Sequence, residues 1–116
     1  MTDVHPSHEI EFQLTGSILK DGRIITTVKD IINPDNFHNT ICQDVYSAMV
    51  KVYEAGLTID AVTVGDQLQR EGKLNSILHD VFSGRAALSN IRNLGDPKNA
   101  VCYAQNVQDY WGKREI

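Results

Sequence analysis

The sequence predicts an all-α fold in which about six short helices pack as a compact orthogonal bundle. Apolar residues recur three and four positions apart in successive segments, the spacing that lines one face of an α-helix. Glycine, proline and short polar residues, which cap or end helices, separate these segments. The chain has 116 residues, 41% of them apolar, which is enough for one domain with a hydrophobic core.

The sequence of residues 1–34 predicts a disordered N-terminal segment followed by two helices. We expect residues 1–7 to be disordered, because this terminal segment is polar and contains a proline. The first helix is predicted over residues 8–20, where apolar residues fall four positions apart. An apolar stripe within residues 24–32 predicts a second helix that ends before Pro34. This segment is also rich in β-branched residues, so a strand is the alternative.

The most informative stretch runs from Val45 to Leu74 and predicts two amphipathic helices joined by a short elbow. Gly56 and Gly72 are placed to end these helices, because glycine readily adopts the positive φ found at helix C-termini. Asp60 can cap the second helix by accepting a hydrogen bond from an unpaired backbone N–H. The helix that ends at Gly56 begins at a cap provided by Asn39 or Thr40. It should bury a stripe made of Cys42, Val45, Tyr46, Met49, Val52 and Tyr53.

The helical spacing of apolar residues becomes irregular after Leu74 and is regular again after Ser83. Residues 75–82 could form a short helix or an irregular loop. A further helix follows Ser83, with Leu94 as its last inward residue. Two residues mark the start of the last helix. Asp96 is placed to cap it, and Pro97 follows at the first helical position, where the missing N–H of proline is harmless.

The last helix keeps its apolar rhythm to within a turn of the terminus and has no stop signal. We therefore predict that residues 8–116 form one domain that is truncated within a helix of a longer natural chain. Cys42 and Cys102 have no metal-type spacing, so we interpret both as reduced core residues. The predicted structural core consists of Leu14, Phe37, Tyr46, Met49, Ile59, Leu68, Leu74, Tyr103 and Val107.

Charge and hydropathy exclude several classes of function. The net charge is −4 and the isoelectric point is near 5.4, and the chain has no basic block, which disfavours direct binding to nucleic acid. No apolar run approaches the ~18 residues that a membrane span needs, and the polar N-terminus has no signal-peptide core. We therefore expect a cytoplasmic protein with no membrane partner.

No residue pattern predicts catalysis, a cofactor or a metal site. The nucleotide-binding loop motif is absent. His5 and His8 lie beside Glu9 but lack a third ligand at proper spacing, so solvated side chains are the better interpretation. Glu9 and Glu11 point to different faces of a helix, which suits capping and dipole compensation better than acid–base catalysis.

Aromatic residues near the end of the chain suggest a protein interface. Tyr110 and Trp111 are either core residues or contacts for a partner. An aromatic stripe at helical spacing usually packs inward. Trp, Tyr and Arg also dominate interface energetics, so together with Arg114 they form the predicted partner interface.

A set of residues spread over nearly the whole chain from about His8 matches the pattern of one known family. They are Glu9, Glu11, Gly16, Leu19, Phe37, Tyr46, Met49, Gly56, Ile59, Asp60, Thr63, Leu68, Gly72, Leu74, Tyr103, Ala104 and Val107. With them the sequence resembles the N-terminal domain of the DnaB-type replicative DNA helicases. Cys42 stands where the family commonly has histidine, and residues 75–82 form a longer segment than usual, which suggests a divergent member of phage or plasmid origin.

The resemblance implies a non-catalytic oligomerisation and partner-docking domain. In the family such a domain is followed by a helical hairpin, a linker and a RecA-like motor that binds ATP and Mg, so the parent would be an ATP-dependent DNA helicase while this fragment would not be an enzyme. The hairpins pair the domains, three pairs build a collar on the hexamer, primase docks on that collar, and a helicase loader is a further partner.

Two further expectations concern the fragment itself. Without the helical hairpin, the fragment should be a monomer or a weak dimer, because most of the pairing surface is absent. The alternative function is a stand-alone helical adaptor or regulator that mimics this domain and binds replication proteins. A reading frame that continues into a nucleotide-binding loop would distinguish the helicase from the adaptor.

Overall fold

A computed structural model describes the backbone of residues 6–115 and the side chains of residues 9–109. Over this range the fold is all-α, as the sequence predicts. Its helices are α1 (Pro6–Lys20), α2 (Ile25–Val28), α3 (Thr40–Glu54), α4 (Ala61–Arg70), α5 (Gly84–Leu94) and α6 (Ala100–Glu115). Short 3-10 turns occupy Gly22–Ile24, Pro34–Asn36, Leu74–Ser76 and Pro97–Asn99. The only strands in the described part of the chain are β1 (Leu78–His79) and β2 (Phe82–Ser83).

Helix α1 lies at the centre of the domain, against α3, α5 and α6. It begins at Pro6, two residues before its predicted start, and most of the segment predicted to be disordered lies outside the described residues. Gly16 sits where α1 crosses the end of α5, and a Cβ added there would lie 2.2 Å from the backbone oxygen of Ile91. A Cβ added to Gly95 would lie 2.1 Å from the backbone nitrogen of Ser17. The two segments therefore meet backbone to backbone.

Hydrogen bonds reinforce this crossing at the junction between α5 and α6. Ser17 Oγ accepts a hydrogen bond from the backbone N–H of Asp96 at 2.9 Å. Lys20 Nζ donates to the carbonyl oxygen of Gly95 at 2.8 Å. The side chain of Asp96 in turn accepts from the backbone N–H of Lys98 in the turn that leads into α6. The direction in which α6 leaves the domain is thus set by α1.

The second predicted helix is present but short. A 3-10 turn leads into α2, which ends at Val28, and turns continue the chain to Ile32. Ile25, Val28 and Ile32 are buried, so the apolar stripe was interpreted correctly and the alternative strand is wrong. The Tyr46 hydroxyl donates to the carbonyl of Ile32 at 3.1 Å and so ties this segment to α3.

Helices α3 and α4 form the predicted elbow. The Asn39 side chain accepts hydrogen bonds from the first N–H groups of α3, and Asp60 accepts one from Thr63 N–H at the start of α4. Gly56 and Gly72 adopt φ of +78° and +73°, the conformation that ends helices. The residues that begin and end α3 and α4 are therefore those that the sequence predicted.

An ion pair also holds the two helices together. Lys51 on α3 donates to Glu71 Oε2 at 2.7 Å, and Gln67 donates to the same oxygen at 2.8 Å. Burial acts to raise the pKa of Glu71, but these hydrogen bonds and the charges of Lys51 and Lys73 together outweigh it and hold that pKa below its ordinary value.

Most residues that we assigned to the core lie inside the domain, and three do not. Leu14, Phe37, Tyr46, Met49, Ile59, Leu68 and Val107 are buried, whereas Leu74 and Tyr103 are partly buried. Tyr53 is 37% exposed because it lies on the last turn of α3, at the rim of the elbow. Leu94, the last residue of α5, is 41% exposed. Cys102 is exposed because α6 turns Ala100, Ala104 and Val107 towards the core instead.

Candidate interaction surface

The segment whose sequence pattern is weakest forms a small β-hairpin between α4 and α5. Strand β1 pairs antiparallel with β2, so Leu78 lies opposite Ser83 and His79 opposite Phe82. Asp80 at the turn has φ of +57°, a conformation that aspartate tolerates better than most residues. The sequence left a short helix and an irregular loop open here, and neither describes the hairpin.

Side chains from two helices hold the base of the hairpin. The ring of His79 packs edge-on against Phe12 of α1, with ring centroids 4.7 Å apart. Its Nδ1 atom donates a hydrogen bond to the side-chain oxygen of Asn90 on α5. Buried Ile77 closes the hairpin, since its carbonyl accepts from Gly84 N–H at 2.9 Å. The hairpin is therefore fixed against the domain.

The tip of the hairpin presents apolar side chains to solvent. Val81 at the turn is 85% exposed and Phe82 next to it is 39% exposed, whereas Leu78, which is 53% exposed, lies opposite Ser83 at the other end of the hairpin. Neighbouring apolar side chains that stand in solvent, here Val81 and Phe82, mark sites of protein contact. Burying one such side chain completely is worth about 1.5–3 kcal/mol. Because the hairpin is already held in place, a partner would gain that energy without first ordering the segment.

The residues predicted to form the partner interface lie near the end of α6. The backbone of α6 is helical through Glu115, but the side chains of Tyr110, Trp111 and Arg114 lie outside those that the structure describes. Sequence reasoning missed the hairpin tip. Its signal was a cluster of apolar residues around Asp80 in a segment without helical periodicity.

Glu11 has a structural role that spacing alone did not reveal. Its side chain is buried, and its two carboxylate oxygens accept hydrogen bonds from the backbone N–H groups of His38 and Asn39, each at 2.8 Å. These N–H groups lie just before α3, so the carboxylate caps another helix instead of compensating the dipole of its own. Glu9, by contrast, is exposed.

Two buried titratable side chains of α3, those of Cys42 and Tyr46, have raised pKa values. Burial raises the pKa of the Cys42 thiol well above its ordinary value, and the nearby charge of Glu11 adds to this shift. Burial likewise raises the pKa of Tyr46. Neither group is therefore a ready nucleophile. Within residues 9–109, no cluster of three His, Cys, Asp or Glu side chains could hold a metal ion.

No helix in the described part of the chain is both long and apolar enough to cross a bilayer.

Comparison with known proteins places the chain in a family. The family model for the DnaB-like helicase N terminal domain matches residues 4–109. The replicative DNA helicase DnaB of Rhodothermus marinus is 29% identical over 66 residues, which are 57% of this chain but only 7% of that relative. The crystal structure of the N-terminal domain of DnaB helicase from Mycobacterium tuberculosis superposes with a TM-score of 0.84 and 29% identity, covering 92% of this chain and 75% of that one. The chain therefore belongs to the family of DnaB-like helicase N-terminal domains.

Proposed function

We propose that this chain is the non-catalytic oligomerisation and partner-docking domain of a replicative DNA helicase. In this role it forms part of the collar of a hexamer, and ATP hydrolysis with Mg and DNA unwinding belong to a motor domain of the parent protein. Membership of the family supports the proposal. The observation that carries it is the fixed apolar tip of the hairpin, because such a surface suits a protein partner and offers nothing to a reacting substrate.

The hairpin tip is the docking surface for another replication protein. Val81 and Phe82 would enter an apolar surface of primase, and the helicase loader is the second partner of the parent helicase. Single-stranded DNA is a poor candidate for this surface, since it would require cationic side chains along its backbone and the chain carries a net charge of −4. The assembly acts in the cytoplasm.

Self-association uses the last helix. Trp111 and Tyr110 would contact a second copy, with Arg114 at the edge of that contact, and pairs formed in this way assemble into the hexamer. The Trp111→Ala variant tests this assignment. An interface role predicts that self-association measured by sedimentation weakens while the circular dichroism spectrum and the melting temperature stay unchanged. Lost stability would instead assign Trp111 to the core.

The docking surface is tested with the primase encoded in the same genome. The Val81→Asp variant should bind that primase at least about ten-fold more weakly, because a carboxylate cannot be buried in an apolar contact without a large loss. Val62→Asp is the matched control, since Val62 is 64% exposed on α4 and lies outside the hairpin. Equal primase affinity of Val81→Asp and the unmodified protein would refute docking at the hairpin.

A further inference from the structure

A cleft outside the hairpin opens between the end of α1 and the elbow that joins α3 to α4. It encloses about 590 Å³, within the usual range for ligand and peptide sites. Its lining comes from residues 19–23 and 25–26, from Tyr53, from residues 57–60 and from Arg92. None of these residues belongs to the hairpin tip, so the cleft is a separate surface.

The base of the cleft is apolar and closely packed. Gly22 lies so near the elbow that an added Cβ would be 2.6 Å from the carbonyl oxygen of Ile59. The two walls therefore touch at this point. Leu19, Ile25 and Ile59 are buried beneath the cleft and form its floor. The floor offers apolar contact, and its shape is set by backbone packing.

The rim of the cleft carries two large apolar side chains that the domain leaves in solvent. Tyr53 is 37% exposed and Leu57 is 52% exposed. They lie on either side of Gly56, at the end of α3. The backbone N–H of Leu57 donates to the carbonyl of Val52 at 3.1 Å, which fixes this part of the rim. Both side chains line the cleft and offer apolar contact to a side chain of another molecule.

The charge of the cleft differs in sign from that of the whole chain. Its lining holds three cations, Lys20, Arg23 and Arg92, and two anions, Asp21 and Asp60, whereas the chain carries −4. Both anions are already engaged, because Asp21 pairs with Arg23 at 2.9 Å and Asp60 caps α4. Among the ion pairs between described residues, none involves Arg92 or Lys20. The guanidinium of Arg92 is therefore available to a ligand, and the ammonium of Lys20, which donates one hydrogen bond to the Gly95 carbonyl at 2.8 Å, has further N–H groups to offer.

We propose that this cleft binds a peptide segment of a partner protein in which a large apolar side chain is followed closely by a carboxylate. The apolar side chain would lie between Tyr53 and Leu57, and the carboxylate would meet Arg92 and Lys20, because a guanidinium can bind a carboxylate through two hydrogen bonds. A free phosphate fits less well, since apolar residues make up the floor and two positions of the rim. This inference stands apart from the proposed function, because the cleft and the hairpin can be tested separately.

The experiment uses a random peptide library displayed on phage, selected on the immobilised protein. We expect the selected peptides to combine large apolar residues with Asp or Glu. Their synthetic forms should bind the Leu57→Asp and Arg92→Glu variants at least about ten-fold more weakly than the unmodified protein. Circular dichroism melts of both variants should be unchanged, because both side chains are exposed.

Matched controls isolate the cleft. Leu78→Asp changes a leucine of nearly equal exposure, 53%, on the hairpin, and Arg70→Glu reverses an exposed charge on α4; both should bind the selected peptides normally. The proposal is overturned if no peptide is enriched, if the selected peptides are basic or lack an acidic residue, or if the cleft variants bind as well as the controls. Dimers seen by sedimentation that Leu57→Asp abolishes would also overturn it, since the occupant would then be a second copy of this chain.

Discussion

Replacing Gly16 by alanine should strongly destabilise the domain, because Gly16 is buried where α1 meets the end of α5. The new Cβ would lie 2.2 Å from the Ile91 oxygen and 2.9 Å from the Gly95 nitrogen, whereas ordinary contacts of a Cβ begin near 3.4 Å. Both obstructing atoms belong to the backbone and cannot rotate away. Helices α1 and α5 must therefore separate by roughly 1 Å, which disturbs the packing on both sides.

The magnitude follows from three contributions. Overpacking at a backbone contact costs about 3 kcal/mol, the upper part of the usual range. Separation also weakens the hydrogen bond between Ser17 and Asp96, worth about 1 kcal/mol. Alanine restores about 1 kcal/mol, because it is a better helix former than glycine. The free energy of unfolding should fall by about 3 kcal/mol, which for a domain of this size lowers the melting temperature by roughly 12 °C.

Gly65→Ala is the matched control, since Gly65 also lies within a helix. Its Cβ would meet the guanidinium of Arg85 at 2.5 Å, but that side chain is half exposed and can move into solvent. Only exposed contacts of Arg85 with Asp66 and Gln69 would be lost, which are worth little. Urea denaturation should therefore find Gly65→Ala within about 0.5 kcal/mol of the unmodified protein. Equal stabilities of the Gly16→Ala and Gly65→Ala variants would refute the backbone-contact argument.

Three further substitutions test buried polar contacts. Glu11→Gln should cost about 2 kcal/mol in urea denaturation, because an amide can accept only one of the two backbone hydrogen bonds through its oxygen, while Glu9→Gln should change almost nothing. Tyr46→Phe should cost about 1 kcal/mol in the same assay, since it leaves a buried carbonyl without its donor; no loss would mean that this hydrogen bond does not contribute. The pKa of Glu71 is held below its ordinary 4.5 in the folded protein, so its ion pair with Lys51 stabilises the fold at neutral pH and this stabilisation is lost as the pH falls through the lowered pKa. Glu71→Gln should thus be less stable at neutral pH, by about 1 kcal/mol, and should differ less from the unmodified protein near pH 3; a constant difference at both pH values would contradict this assignment.

Sequence patterns predicted the features that depend on local chemistry. The caps at Asp60 and Asp96, and the glycines that end α3 and α4, follow from interactions within a few residues. The long amphipathic pattern of α3 likewise predicted where this helix lies in the chain. The block from Tyr46 to Leu74 indicated the family.

Features that depend on distant neighbours were not predictable in this way. The two-residue strands of the hairpin are too short to show a period, so the apolar residues around Asp80 did not distinguish a hairpin from a loop or a short helix. The partners of Glu11 lie 27 and 28 residues further along the chain. Tyr53 and Cys102 keep helical spacing, yet which face of a helix is covered depends on what packs against it.

The two thiols of this protein offer very different access to reagents. Cys42 is fully buried with a raised pKa, whereas Cys102 is exposed on α6. A maleimide dye or a nitroxide label would therefore attach at one defined position of the native protein, without mutagenesis. Distances measured between such labels would report how copies of α6 approach one another in solution.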